Sequence, residues 1–459
     1  SAPGEAAPRH GGNVPGWVFA GCRGNAPARH AKVRRQVAGP SAAETLSREC
    51  ARMKLKKRMM TGMLAATLGA MAPVLAQTAE PSPYSSYLFA FFSNNSPYGE
   101  QVRYALSDDG YNYTSLNQGH PVVASDTIAL KKSIRDPYIT RGRDGKTFYM
   151  VMTDMRSDEG WQSNDGLILM KSTDLIHWQH TAIDFPTRFP DLTGFGCENL
   201  HAVWAPQIIW DDEAGKYMIY YSIGRHDWEY PTEDPNFKQP YFKLFYSYVN
   251  EDFTDITEPK LLFDFGTAAI DGDIVYNPKA KEYVLFFKDE GRSVMNKGFR
   301  TRQGVMRATA SRPTGPYTIE WRHLQKEGQY PVEGSSVFSL IGSDEYILMY
   351  DCYAQGFYQF CKSTNLKDFT FVQNTKTHGD FTPRHGSVMH ITQAERERLE
   401  AWSELSIAVN DLRTRPVPTL TLKQLERRPA LLAEAQKVLD TTSDPKTIAD
   451  MTKKLKKFK

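Results

Sequence analysis

Cysteine is scarce in this chain, no long unbroken apolar run stands out, and neither sign of charge dominates. The five cysteines form no CxxC pair and belong to no Cys/His/Asp pattern, which sets aside dithiol redox chemistry and a cysteine nucleophile. Against 56 basic residues stand 53 acidic ones, a net charge of +3. A nucleic-acid-binding protein would instead gather basic charge on one folded face, so no nucleic-acid partner is expected. Periodicity is missing from residues 1–52, which are crowded with Ala, Gly, Pro and Arg and read as a disordered or non-native leader.

From Met53 the text changes to MKLKKRMMTGMLAATLGAMAPVLAQ. A basic start, an apolar stretch and a small-residue site ending Val74-Leu75-Ala76 make residues 53–76 a signal peptide cleaved after Ala76, with a linker over 77–85. A secreted or periplasmic protein is the expectation. A membrane anchor is the alternative, but the apolar run is short and broken by Gly and Pro, and no later segment could span a bilayer. Beyond the cleavage point three cysteines are left, Cys197, Cys352 and Cys361. The last two fall on the arms of one expected hairpin in near-opposite register, which leaves open both a disulfide and two buried thiols.

What the chain has in quantity is a repeated three-part phrase. Its middle part is a short aromatic and β-branched run: SYLFAFFS from Ser86, TFYMVMTD from Thr147, KYMIYYSI from Lys216, EYVLFFKD from Glu282 and EYILMYDC from Glu345. Such runs favour strands. Most are then followed by a partner that breaks into an acidic or Ser/Thr/Pro turn, in segments placed after Arg103 and from Met170, Tyr246, Met306 and Phe360. Ahead of the middle strand comes an opening: IRDPYIT at Ile134, VWAPQIIW at Val203, IDGDIVYN at Ile270, VEGSSVFS at Val332 and PRHGSVMHIT at Pro383. The fifth opening has no middle strand after it, so the unpaired run at Ser86 must supply one.

Openings recur every ~50 to 70 residues, the spacing of four-stranded propeller blades. An all-β, five-bladed β-propeller over residues 86–392, closed by the N-terminal strand, is the predicted fold. Closure of that kind removes exposed sheet edges. Beyond Thr392 the aromatic strands stop, and residues 393–459 read as a short helical, basic, solvated tail or an appended fragment. A Trp-Asp dipeptide closing every blade would mark an interaction scaffold; only Trp210-Asp211 occurs, in the wrong part of its blade.

In a propeller the innermost strands line a central channel, and the residues at their start face its mouth, where small ligands bind. Here those residues are Asp136, Trp204 with Gln207, Asp271, Glu333, and Arg384 with His385. Three carboxylates converging on one axis must repel, which raises at least one pKa and separates a protonated acid from an ionised one. Inverting glycoside hydrolysis needs that division. Two polar, aromatic loops, Arg156 to Asn164 and Arg225 to Tyr230, add Trp161 and Trp228 as sugar-facing candidates.

These openings resemble those of glycoside hydrolase family 43, in order and at the right blades: Asp-Pro at Asp136, Trp-Ala-Pro at Trp204, Ile-Asp at Asp271, Glu-Gly at Glu333 and Arg-His-Gly at Arg384. The resemblance covers the propeller alone. It implies Asp136 as general base, Glu333 as general acid, and Asp271 as the carboxylate that tunes and orients the acid. Arg384 would contact the sugar, and His385 would face a central calcium, mostly through water. Gln207 departs from the pattern, since many relatives carry an acid there. The implied activity is release of terminal sugars from plant polysaccharide, with α-L-arabinofuranosyl units first, from arabinan or arabinogalactan side chains. β-Xylosidase, galactosidase or galactofuranosidase activity and a non-catalytic carbohydrate-binding propeller are the alternatives.

Each residue also has a plain structural explanation. Asp136 could cap the turn before Pro137, Trp204 could be core, His385 could be a satisfied buried histidine, and the two loops could be ordinary surface. Asp273 competes with Asp271, because two residues along a strand face the same side. Glu333 has few such excuses, since Glu before Gly-Ser-Ser at a strand start caps no helix.

Overall fold

The computed structural model describes residues 82–229, 239–325, 330–376 and 381–458. The leader, the signal segment and residues 77–81 of the linker lie outside the described residues. Among the described residues no helix is long and apolar enough to cross a membrane.

Five four-stranded antiparallel sheets form the propeller. From the channel outward, blade 1 runs Ile134–Arg141, Phe148–Asp154, Gly166–Ser172 and Gln179–Asp184. Blade 2 runs Leu200–Asp211, Lys216–Arg225, Tyr241–Tyr248 and Lys260–Phe263. Ala269–Asn277, Glu282–Asp289, Val305–Ala310 and Thr318–Glu320 make blade 3. Blade 4 is Glu333–Ser339, Tyr346–Cys352, Phe357–Ser363 and Thr370–Lys376. In blade 5 the inner strand Gly386–Ile391 pairs with the N-terminal Ser86–Phe91, followed by Arg103–Ser107 and Thr114–Ser115. The inner strands touch in ring order, 1 to 2, 2 to 3, 3 to 4, 4 to 5 and 5 to 1.

The middle strands are buried on both faces, as in Ser86–Phe91 and the last eight residues of Lys216–Arg225, so they read as continuous apolar runs and not as alternation. Where the third strand ends, three blades use one device. Ser107, Ser172 and Ser363 hydrogen-bond through Oγ to Asp109, Asp174 and Asn365, whose side chains accept from backbone N–H groups two and three residues on. This Asx-type turn explains the acidic turns of the phrase. Third strands begin earlier than their turns suggest: at Gly166, Tyr241 and Phe357 in blades 1, 2 and 4.

Two expectations are corrected. Cys361 pairs across the ladder with Leu348, and Cys352 with Phe357. The two cysteines are therefore not opposite, and both are buried. The tail is not solvated helix: α1 (Gln393–Thr414), α2 (Leu422–Thr441) and α3 (Pro445–Lys456) share a core that includes Leu405, Leu412, Ala435, Ile448 and Leu455. Leu399 of α1 is fully buried in the apolar cluster between blades 5 and 1.

Candidate active site

Four inner strands carry the same irregularity at the channel mouth. Pairing passes from Arg135–Thr153 to Tyr138–Val151, from Trp204–Ser222 to Gln207–Tyr220, from Ile270–Lys288 to Asp273–Phe286, and from Glu333–Asp351 to Ser336–Met349. Each step sets three residues against two, a β-bulge, and bulges re-aim side chains beside active sites. The extra residues are Asp136, Ala205, Asp271 and Gly334, with φ of 54°, 50°, 53° and 59°. Aspartate tolerates this left-handed region better than most residues, so Asp136 and Asp271 are suited to their positions.

Side chains tie the first three bulges to the next blade, and blade 5 back to blade 1. Thr153 Oγ1 donates to Asp136 Oδ2 at 2.8 Å and accepts from the Ala205 N–H at 2.8 Å. The Tyr220 hydroxyl donates to Gln207 Oε1 at 3.0 Å and accepts from the Ile274 N–H at 2.9 Å. Asp271 Oδ2 accepts from the Gly334 N–H at 2.9 Å. In blade 5, Ser387 Oγ accepts from the Ile139 N–H at 2.8 Å. The bulges are thereby fixed against one another around the axis.

A small pocket at the mouth is lined by Arg135, Asp136, Met155, Trp161, Trp204, Ile270, Asp271, Glu333 and His385. It shares Trp161, Trp204, Ile270 and Glu333 with a wider groove of about 490 Å3 that also takes in Lys288, Glu290, Tyr353 and Arg384. Trp204 stacks on Phe242 with centroids 4.7 Å apart, and Trp161 meets Trp204 edge-on at 6.4 Å. Gln207 is buried in the channel on Tyr220 and lines neither cavity. Trp228 is away from both, stacked on Phe245. Asp273 does not face the same way as Asp271, because the bulge breaks the two-residue alternation. It is buried and lines neither cavity, and its Oδ2 accepts from the Val337 N–H at 2.7 Å.

The charges are interlocked. His385 Nδ1 lies 3.2 Å from Asp136 and 3.8 Å from Asp271. Burial would depress the imidazole, but the carboxylates of Asp271 and Asp136 overcome it and lift its pKa to about 9, so His385 is a cation at neutral pH. Burial likewise opposes ionisation of Asp136, yet His385, Arg135 and the Thr153 bond hold it below the usual aspartate value. Asp271 is pushed up to about 6 by burial and by the neighbouring Glu333 and Asp136 charges, against the pull of His385 and Lys288. Glu333 is buried too, but Lys288, Arg384 and Arg135 outweigh that and hold it below the ordinary glutamate value. Its Oε1 accepts from Arg384 at 2.7 Å and its Oε2 from Lys288 at 3.2 Å. Arg384 is braced in turn by Asp351 at 2.6 Å, and Lys288 by Glu290 at 2.9 Å.

Calcium takes about six to eight oxygen ligands. Around His385 the nearby carboxylates are already paired with its charged ring, and among the described residues no three His, Cys, Asp or Glu side chains are grouped to hold a metal. This donor set does not fit a cation in direct contact with His385; the calcium that the resemblance implies would face His385 through water.

Lys288, Arg135, Asp351 and Glu290 are charged neighbours of the candidate site that motif reading missed. Antiparallel pairing opposes the start of each inner strand to the end of each middle strand, as in Ile270–Lys288 and Glu333–Asp351. The charged ends of EYVLFFKD and EYILMYDC were the available signal.

A family model described as "probable glycosyl hydrolase domain", of the family 43-related type, matches residues 82–397. The chain belongs to the family 43-related glycoside hydrolases. An α-L-arabinofuranosidase of Bifidobacterium longum subsp. longum is 24% identical over 302 residues, 60% of this chain and 27% of that protein; the chain thus spans about a quarter of that relative's length. Among solved structures, an α-L-arabinofuranosidase from Lactobacillus brevis is 16% identical at a TM-score of 0.40, over 58% of this chain and 82% of that one. A xylose complex of an enzyme from Xanthomonas citri, also of family 43, is 13% identical at a TM-score of 0.42, over 60% and 80%. The match to the hydrolase family covers the propeller and the start of α1.

Proposed function

We propose that this glycoside hydrolase works by inversion and removes terminal α-L-arabinofuranosyl units from polysaccharide side chains. The observation that carries the reading is that Asp136, Asp271 and Glu333 line one pocket. Asp136, held ionised by His385, is the base that takes a proton from water. Glu333, between the pocket and the groove, is the acid that protonates the leaving oxygen. Asp271 anchors the Gly334 N–H beside Glu333, and the two like charges raise each other's affinity for a proton. In the free protein Lys288 and Arg384 favour the Glu333 carboxylate, so Glu333 acts as the acid only after taking up a proton from solvent, and a substrate that displaces part of the Lys288 and Arg384 contact raises the fraction that carries it.

A small pocket opening into a wider groove suits a chain end, with the sugar to be released inside and the remainder outside. Trp204 and Trp161 offer aromatic faces at the boundary. Arabinofuranose is preferred to xylose or galactose on the opening motifs and on the 24% identical Bifidobacterium relative. Export through the signal segment at Met53 would bring the enzyme to such polymers. The test is a panel of aryl arabinofuranosides, xylosides, galactosides and galactofuranosides, with the product anomer followed by NMR. Inverted arabinose is expected; retained configuration, or turnover of another sugar alone, overturns the assignment.

A further inference from the structure

A cleft of about 790 Å3 lies where the helical tail docks on the propeller, and it shares no residue with the channel-mouth pocket. Its propeller wall carries Tyr98, His120 and Trp178, and its helical wall Trp402, Asn410 and Arg413. The two walls are joined directly. The Asn117 N–H donates to Ser403 Oγ at 2.6 Å, and His177 bridges Asp174 at 2.7 Å and the Leu439 carbonyl at 2.9 Å. Asn117 and Gln118 hold φ of 51° and 52°. Two successive non-glycine residues in the left-handed region are costly, and they persist only where the surroundings hold them.

The lining chemistry is specific in kind. Arg413 donates to Gln436 at 3.2 Å, and Gln436 to Asp440 at 2.9 Å, which fixes a row of planar polar groups along the helices. The Asn410 amide and the Trp402 indole N–H donate to nothing among the described residues. Arg413 and Asp440 balance in charge, so the row selects no ionic ligand. Flat aromatic faces beside in-plane amide, imidazole and guanidinium groups match a ring with one apolar face and a hydroxylated edge.

We propose that this cleft is a second, non-catalytic binding site for a neutral saccharide chain. The proposal rests on the reading that the substrate is a polysaccharide. It is tested by affinity electrophoresis in gels containing soluble arabinan or arabinogalactan, using the Glu333→Gln protein so that the polymer is not cut. Trp402→Ala and Asn410→Ala are each expected to weaken retardation about ten-fold or more, with Trp402→Phe keeping most of it. In the otherwise unchanged enzyme the same substitutions leave aryl arabinofuranoside turnover intact. Should Trp402→Ala melt early, Asn410→Ala decides. Retardation of folded variants equal to the parent's, or no retardation of the parent by either polymer, overturns the site. Retardation that depends on the cleft in a protein inactive on every aryl glycoside supports the cleft while removing the hydrolase reading.

Discussion

At the scale of single residues, Glu333 is the point where the electrostatics are most exacting. A general acid is worth roughly 10²–10⁴ in rate, and most where the leaving group is poor. Glu333→Gln should therefore lose that much on alkyl or polysaccharide substrates and far less on activated aryl glycosides; equal loss on both would argue against its role. Asp136→Asn should fall on both, and azide should not restore turnover with retained configuration. Lys288 gives a sharper test. Its ammonium pulls the Glu333 pKa down, so Lys288→Met must raise it, the more so because Glu290 is left beside it. On the proposed mechanism the alkaline limb of kcat/KM follows loss of the proton from Glu333. That limb should move to higher pH in Lys288→Met, and a limb that stays in place or moves down separates Lys288 from the acid.

At the scale of the element, the bulge does what periodicity could not foresee. The openings, middle strands and Asx turns were legible because each depends on residue type at fixed spacing. The bulge depends on one backbone angle, and Asp136, Ala205, Asp271 and Gly334 occupy it with three different side chains. Alternation therefore placed Asp271 and Asp273 on one face, when the extra residue separates them. Lys288 escaped notice for a related reason: strand register, not motif, sets it opposite Ile270. Gly334 shows how tightly the bulge is packed. A Cβ there would come within 2.5 Å of the His385 ring at a φ of +59°, and that ring is held by Asp136. Gly334→Ala should cost about 2–3 kcal/mol in urea unfolding and most of the activity. Gly342→Ala, at φ +74° with open space around it, should cost about 1 kcal/mol and leave activity alone.

At the scale of the whole molecule, the helices complete the propeller as well as extending it. Their amphipathic text was legible as helix, but charged residues facing outward gave no sign that α1 would also bury Leu399 between two blades. Its first turn shows why it stays there. Thr392 and Glu395 form a capping box, and the same Glu395 carboxylate takes both terminal nitrogens of Arg141 from blade 1, each at 2.7 Å. Arg141 and Glu395 have side chains only 10% and 11% exposed. Removing one partner would strand a charge that water reaches poorly, whereas an apolar pair of similar size avoids the desolvation cost. Glu395→Ala is thus expected to lose about 3 kcal/mol, including the cap. Arg141→Met with Glu395→Leu should recover much of the loss. Because Leu399 and this pair bind the helices to the first and last blades, chemical unfolding should follow one transition by tryptophan fluorescence and far-UV circular dichroism. Two resolved transitions, or a Glu395→Ala loss confined to the helical signal, would show instead that the tail unfolds independently of the ring.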